Sequence, residues 1–256
     1  MAEPTQINFD QLKISCASCS LRELCIPQGM NTDELRLIET IVERKKPVHK
    51  NDYLFRAGDT NRSLYAVLSG SIKTLVDNPN GEEQIVGFHL PGELLGMDGF
   101  SGDAHTCSAV ALETSSVCEF PLESLDNVCH DVPSIQYAMR RIMGKEVAKD
   151  HAMLLLLGRM SAEEKLASFL ISLSKRMAQR HWKPTEFHLT MPRQDIANYL
   201  GLAVETVSRL FAHLQDENII EVDRRRVNIC DMTRLRAIVG DNDDAKPANS
   251  ANATQG

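Results

Sequence analysis

From Pro133 to Met160 the chain runs "PSIQYAMRRIMGKEVAKDHAMLLLLGRM", with no second proline and no turn cluster. This stretch predicts one helix of about seven turns, longer than most globular helices. Met143, Val147, Asp150, Leu154 and Leu157 recur at alternating steps of four and three. That is the heptad spacing of a seam between two helices. The bland alternative is a helix packed on its own domain, and the spacing favours the seam. A two-fold seam would bring two Asp150 carboxylates together. At about 5 Å and an effective dielectric near 20 they repel by roughly 3 kcal/mol, which makes the expected dimer marginal.

The helix divides two different textures. From Pro47 to Glu123 short alternating runs such as "SLYAVLSGSIKTLVDN" and "EQIVGFHL" are separated by Gly58-Asp59, Ser69-Gly70, "NPNG" and Pro91-Gly92. Turn signals at that spacing predict a small antiparallel roll or barrel. Before it, "NTDELRLIETIVERK" predicts a helix, with Asn31 and Glu34 as a capping box and Leu35, Ile38, Ile41 and Val42 on one face. After the long helix, residues 161–218 are helical in texture, and "IIEVDRRRVNIC" predicts two strands around a basic turn. The expected organisation is α+β. A cysteine-rich leader occupies 1–30, the roll 31–130 and the dimerisation helix 131–160. A DNA-binding unit follows at 161–240, and a polar, disordered tail at 241–256.

The segment "RQDIANYLGLAVETVSRLFAHLQ" has helix-turn-helix spacing. Ala197 sits where two helices cross, Gly201 follows four residues later at the turn, and Val207 closes the core six residues after that. The second helix then presents Glu205, Ser208 and Arg209 on one face at i, i+3 and i+4. Arginine pairs bidentately with guanine, glutamate accepts from a cytosine amine, and serine contacts several base edges. A surface Glu–Arg ion pair is the ordinary alternative, and the helix-turn-helix frame outweighs it. Thr190, Arg193 and Gln194, with Arg224, Arg225 and Arg226 of the basic turn, are candidate phosphate contacts. The net charge of −7 seems to oppose DNA binding, but residues 161–240 carry 12 Lys and Arg against 10 Asp and Glu.

Three cysteines crowd the leader in "CASCSLRELC", at 16, 19 and 25, and Cys118 follows in "SSVCEF". No apolar run is long enough to span a membrane, and "MAEPTQINFD" has no signal-peptide pattern. A cytoplasmic location with reduced thiols is therefore expected. An odd total of seven cysteines also argues against a disulfide framework. Cys-x2-Cys alone is often a zinc site, and Cys118 alone would be a core residue. Cys107, Cys129 and Cys230 are expected to be simple core residues. No P-loop, nucleophile elbow or paired-acid motif appears, so no enzyme is expected.

The sequence of β-roll (a cyclic-nucleotide-binding-like jelly roll), long helix and winged helix-turn-helix resembles the CRP/FNR superfamily of transcription regulators, from about Cys16 to Val239. The Cys-x2-Cys-x5-Cys leader with Cys118, and "CIPQGM", "ERKKP", "GFHLPGELLGMD" and "LTMPRQDIANYLGL", resemble its oxygen-sensing FNR (fumarate and nitrate reduction) branch. The resemblance implies that Cys16, Cys19, Cys25 and Cys118 hold a [4Fe–4S] cluster, convertible by oxygen to [2Fe–2S], that promotes dimerisation. It also implies TTGAT-N4-ATCAA-type DNA sites. RNA polymerase is implied as a partner, touched near Asp77, Asn80, Gly81, Glu82, Arg180 and Lys183. In the cyclic-nucleotide branch an Arg-Ser pair grips the phosphate; here Cys107 stands before Ser108, and no Lys or Arg lies between Lys73 and Arg140. No cyclic nucleotide is expected. The remaining alternatives are a zinc-stabilised or a nitric-oxide- or redox-responsive CRP-like regulator.

Overall fold

The computed structural model describes residues 15–78 and 80–240. The expected tail, 241–256, and the first part of the expected leader, 1–14, lie outside the described residues.

Helix α1 (Thr32–Ile41) begins at Asn31, whose side chain accepts from the Asp33 and Glu34 N–H groups while the Glu34 carboxylate accepts from the Asn31 N–H. This reciprocal cap satisfies donors that a helix start otherwise leaves open. The sequence pattern carries the helix to Lys45, but it stops at Ile41. Val42 turns extended and buries its side chain, and Glu43–Arg44 becomes strand β1. Pairing with a neighbouring strand overrides local helical periodicity there, and it sets Arg44 directly opposite Cys118.

The glycine-divided region forms β2 (Tyr53–Phe55), β3 (Ser63–Ser69), β4 (Ile72–Asp77), β5 (Glu83–His89), β6 (Leu94–Leu95), β7 (Ser108–Ala111) and β8 (Ser116–Pro121). They make two four-stranded sheets, ordered β1-β8-β3-β6 and β2-β7-β4-β5, with antiparallel pairing throughout. Phe55, Val67, Ile72, Leu95, Ala109 and Val117 fill the space within the roll.

Helix α2 (Leu122–Asp131) leads into α3 (Pro133–Arg159), with Pro133 in its first turn, where a missing N–H costs nothing. Only the first half of α3 buries side chains: Ile135, Ala138, Met139 and Ile142 pack with Ile38, Phe120 and Leu125. Beyond Ile142 the seam residues face solvent in the single chain. Val147 is 53% and Leu154 68% exposed, and Met143 and Leu157 are each 39% exposed.

Helix α4 (Ala162–Gln179) carries a second capping box, Ser161 with Glu164. It is followed by β9 (Glu186–His188), α5 (Arg193–Leu200), α6 (Val204–Asp216), β10 (Ile220–Asp223), β11 (Arg226–Ile229) and α7 (Met232–Ile238). The three short strands pair as β10-β11-β9. Strand β9 is absent from the sequence reading, because three residues give no measurable alternation.

The C-terminal unit is docked on the roll. Lys73 Nζ meets Asp195 Oδ2 at 2.9 Å, and Ser71 Oγ donates to Thr190 Oγ1 at 2.7 Å. Asn198 Oδ1 accepts from the Ile85 N–H, and Asn198 Nδ2 donates to the Glu83 carbonyl. Phe88, Phe169 and Tyr199 form an aromatic cluster across the junction. Below it, Glu93 receives Arg176 Nε at 2.9 Å and Arg180 Nη2 at 2.6 Å. Arg180 is thereby buried, with Nε on the Pro91 carbonyl. This corrects its assignment to a polymerase-facing surface: a carboxylate in the other domain draws the guanidinium inward.

Burial alone would raise the Glu93 pKa, but the Arg176 and Arg180 charges reverse that and hold it down at about 2. Burial, aided by the Lys149 charge, pushes buried His89 down to about 3. Both groups therefore stabilise the fold at neutral pH. The His89 contribution is lost as pH falls from about 6.5 toward 3, and the Glu93 contribution as pH falls from about 4.5 toward 2. Urea midpoints measured from pH 7 down to 3 should decline from about 6.5 in the wild type. Glu93→Gln should lower stability at pH 7 and flatten the part of that decline below about 4.5.

Candidate nucleic-acid interface and metal centre

Gly201 ends α5 in the left-handed region at φ 62, where its N–H bonds the Ala197 and Asn198 carbonyls. Ile196, Ala197, Leu200 and Val207 are buried within the helix pair. The opposite face of α6 is open: Glu205, Ser208 and Arg209 are all exposed. Arg209 Nε points to the Glu205 backbone carbonyl at 3.4 Å, and no ion pair joins the two side chains among the described residues. The ordinary salt-bridge alternative is thus not the arrangement found.

The candidate phosphate contacts are differently placed. Gln194 is exposed, as are Arg224 and Arg225 at the tip between β10 and β11. Arg224 adopts φ 55, a left-handed conformation unusual for arginine. Arg226 pairs with Glu186, which also holds Lys183 at 2.6 Å. Thr190 is taken up by Ser71 of the roll, and Arg193 lies over the Phe211 ring at 3.4 Å from its centroid. Burial lowers the Arg193 pKa to about 10, still far above neutrality. The β4–β5 turn holds Asp77, Asn80, Gly81 and Glu82 exposed, with the Asn78 side chain accepting from the Asn80 and Glu82 N–H groups.

The leader is built from consecutive tight turns. Cys19 N–H reaches the Cys16 carbonyl, Arg22 N–H reaches Cys19, and Cys25 N–H reaches Arg22, around a 3₁₀ turn at Arg22–Leu24. Fully buried Ile26, with Leu21 and Met30, anchors it to the roll. Ala17 N–H donates to Glu39 of α1, and Arg141 of α3 donates to Gln28. Leu24 rests on Gly92: a Cβ there would lie 2.9 Å from Leu24 Cβ. Sequence reasoning missed this contact, since a leucine and a glycine 68 residues apart leave no local signal.

The turns and strand β8 bring the four expected ligands together. Cys16 and Cys118 are buried, and Cys19 and Cys25 half-buried. Burial pushes Cys16 up to about 12 and Cys118 up to about 11, and the neighbouring cysteines add to both. Burial also raises Cys25, which feels Cys118, Cys16 and Cys19. Among the described residues no three His, Cys, Asp or Glu side chains are disposed to grip a single metal ion. Of the other cysteines, Cys107 is buried and Cys129 half-buried; Cys230 is exposed, against its expected place in the core.

Two cavities adjoin this region. One, of about 540 Å³, lies between the roll and α3 and is bordered by Thr74, His89, Met97, Asp98, Cys107 and Asp150. Lys149 of α3 also reaches it, so the cavity is not without a cation, as the roll sequence alone suggests; its Nζ bonds Glu146 at 3.2 Å.

Comparison with known proteins accords with this architecture. Residues 45–131 match the cyclic nucleotide-binding domain family, and residues 164–238 match the Crp-like helix-turn-helix domain family. The fumarate and nitrate reduction regulatory protein of Vibrio cholerae is 46% identical over 233 residues, covering 91% of this chain and 93% of that protein. The chain belongs to the FNR-type regulators of the CRP/FNR superfamily. The transcriptional activator protein Anr of Pseudomonas protegens is 42% identical to this FNR-type chain, covering 94% of it and 98% of Anr. Among solved structures, FixK2 from Bradyrhizobium japonicum superposes with a TM-score of 0.71 at 27% identity, covering 81% of this chain and all of FixK2. This FNR-type protein is a DNA-binding transcription regulator and not an enzyme.

Gly92→Ala tests how the leader is seated. The new methyl meets Leu24, and φ of +90 disfavours any side chain. The expected cost is about 1–3 kcal/mol. Trypsin should cut after Arg22 faster in the variant than in the wild type; equal cleavage rates would show that the leader does not depend on this contact.

Proposed function

We infer that this regulator senses oxygen through a [4Fe–4S] cluster held by Cys16, Cys19, Cys25 and Cys118, and controls anaerobic gene expression. The observation that carries this reading is the meeting of three leader thiols with one thiol from a roll strand, all within electrostatic reach of one another. A single tetrahedral zinc needs sulfurs about 2.3 Å from one centre. Iron–sulfur clusters take one thiolate at each of four corners, so donor number, donor type and the wider spread fit the cluster better than zinc. When bound, the cluster supplies an oxygen-labile centre that passes from [4Fe–4S] to [2Fe–2S].

The chain's own part is positional. Cys118 ties the leader to β8, while Gln28 and Arg141 tie it to α3. Met143, Val147, Leu154 and Leu157 then pair with a second copy, with Asp150 opposing the union. In the dimer two α6 helices read TTGAT-N4-ATCAA-type sites, with Arg209 on guanine and Glu205 and Ser208 beside it. Gln194, Arg224 and Arg225 contact phosphates. Thr190, Arg193 and Arg226 join them only by leaving their present partners. The exposed β4–β5 turn from Asp77 to Glu82, with Lys183, meets RNA polymerase. Among the described residues no helix is long and apolar enough to cross a membrane. We place the protein in the cytoplasm, and without cyclic nucleotide as effector.

Anaerobic purification should yield brown protein with about four irons and four sulfides per chain, bleaching in air. Colourless protein with one zinc would instead support the zinc-stabilised alternative. DNA binding should be strong without air and weak with it, and Asp150→Ala should raise both dimer fraction and DNA binding in air. Arg209→Ala should cost about 1–3 kcal/mol in binding and relax the preference at guanine. Unchanged sequence preference would refute its role.

A further inference from the structure

The second cavity, of about 580 Å³, lies where the leader, α3, α4 and α5 meet. Its size falls within the range of small-molecule sites, about 300–1,000 Å³. Lys145 and Lys149 enter from α3 and Lys175, Arg176 and Arg180 from α4, facing only two carboxylates, Glu93 and Glu146. That is an excess of three positive charges in a chain whose net charge is −7. Glu93 holds Arg176 and Arg180 as a fixed floor, so Lys145, Lys149 and Lys175 are the charges that face an incoming ligand. Leu24, Ile142, Met160 and Ile171 supply an apolar wall.

The neighbouring roll cavity has the opposite character. Its single cation, Lys149, is opposed by Asp98, Glu146 and Asp150. An anion that reached the junction would be repelled from the roll cavity and attracted to the cleft. Tyr199 of α5 borders both cavities, and its hydroxyl has no hydrogen-bond partner among the described residues. Ile142, Lys145 and Lys149 recur at i, i+3 and i+7, a helix face distinct from the seam of Met143, Val147 and Leu154. Pairing through the seam therefore leaves the cleft open.

We propose that this cleft is a binding site for an organic phosphate of nucleotide size, separate from the roll cavity and from the cysteine site. The phosphates lie among Lys145, Lys149 and Lys175, and the organic body lies against Leu24, Ile142 and Ile171. A ligand there touches the leader, the dimerisation helix and the DNA-binding unit together, and so biases how those parts sit.

The test is calorimetric titration of the full-length protein in air, at about 150 mM salt so that loose surface attraction is screened. ATP and inorganic pyrophosphate are the probes. ATP should bind saturably, one per chain, at sub-millimolar concentration and at least tenfold more tightly than pyrophosphate. Lys145→Glu combined with Lys175→Glu should weaken ATP at least tenfold, with the thermal midpoint confirming that the variant folds. Thr74→Val, in the roll cavity, should leave ATP binding unchanged. Absence of saturable ATP binding, affinity that survives the double charge reversal, or loss of binding in Thr74→Val would overturn the site. Pyrophosphate binding as tightly as ATP would overturn the organic part of the ligand. Because the titration needs no cluster, its failure is independent of the oxygen-sensing reading.

Discussion

One turn of the roll, Pro91-Gly92-Glu93, joins three parts of the molecule. On one side Gly92 leaves room for Leu24, so the leader can lie flat against the roll. On the other, the Glu93 carboxylate holds Arg176 and Arg180, and the Pro91 carbonyl accepts from Arg180. A carboxylate with this little exposure would be costly without partners. Two guanidiniums compensate it, and the depression of its pKa to about 2 corresponds to a contribution on the order of 3 kcal/mol. The leader and the DNA-binding unit are thus seated on adjacent residues of the same turn.

That arrangement gives the distant parts a short physical connection. The leader reaches α3 through Gln28 and Arg141, and it reaches the C-terminal unit through the turn. The C-terminal unit is held again, higher on the roll, by Lys73 with Asp195 and by Asn198 against β5. The recognition face of α6 takes no part in this docking, and its Glu205, Ser208 and Arg209 stay exposed. The same cannot be said of Thr190 and Arg193, whose polar groups are already spent on Ser71 and Phe211.

Local signals were the ones legible in the sequence. The capping box at Asn31, the turn glycine at 201 and the helix-turn-helix core of Ala197, Leu200 and Val207 each depend on neighbours within a few residues. They appear in the structure as the spacing implies. The four cysteines were legible only through family resemblance, because no spacing rule places Cys118 beside a leader 93 residues away. Strand β1 and the buried state of Arg180 were not legible at all. Each is set by a partner distant in sequence, Cys118 and Glu119 for the strand and Glu93 for the guanidinium. An exposed-looking "MAQRHWK" thus concealed an inward-facing arginine.

The same contrast explains why a dimer built on α3 would respond to a small change. The first half of the helix is fixed by Ile135, Ala138, Met139 and Ile142 in the core, whereas the second half offers an apolar stripe interrupted by Asp150. Burying each aliphatic seam residue contributes about 1.5–3 kcal/mol, while the opposed carboxylates cost roughly 3 kcal/mol and association itself costs several more. The terms nearly cancel. Near such a balance, every 1.4 kcal/mol changes the association constant tenfold. A contact of the size of Gln28 with Arg141, made or lost at the fixed end of the helix, is therefore large enough to decide whether the seam closes.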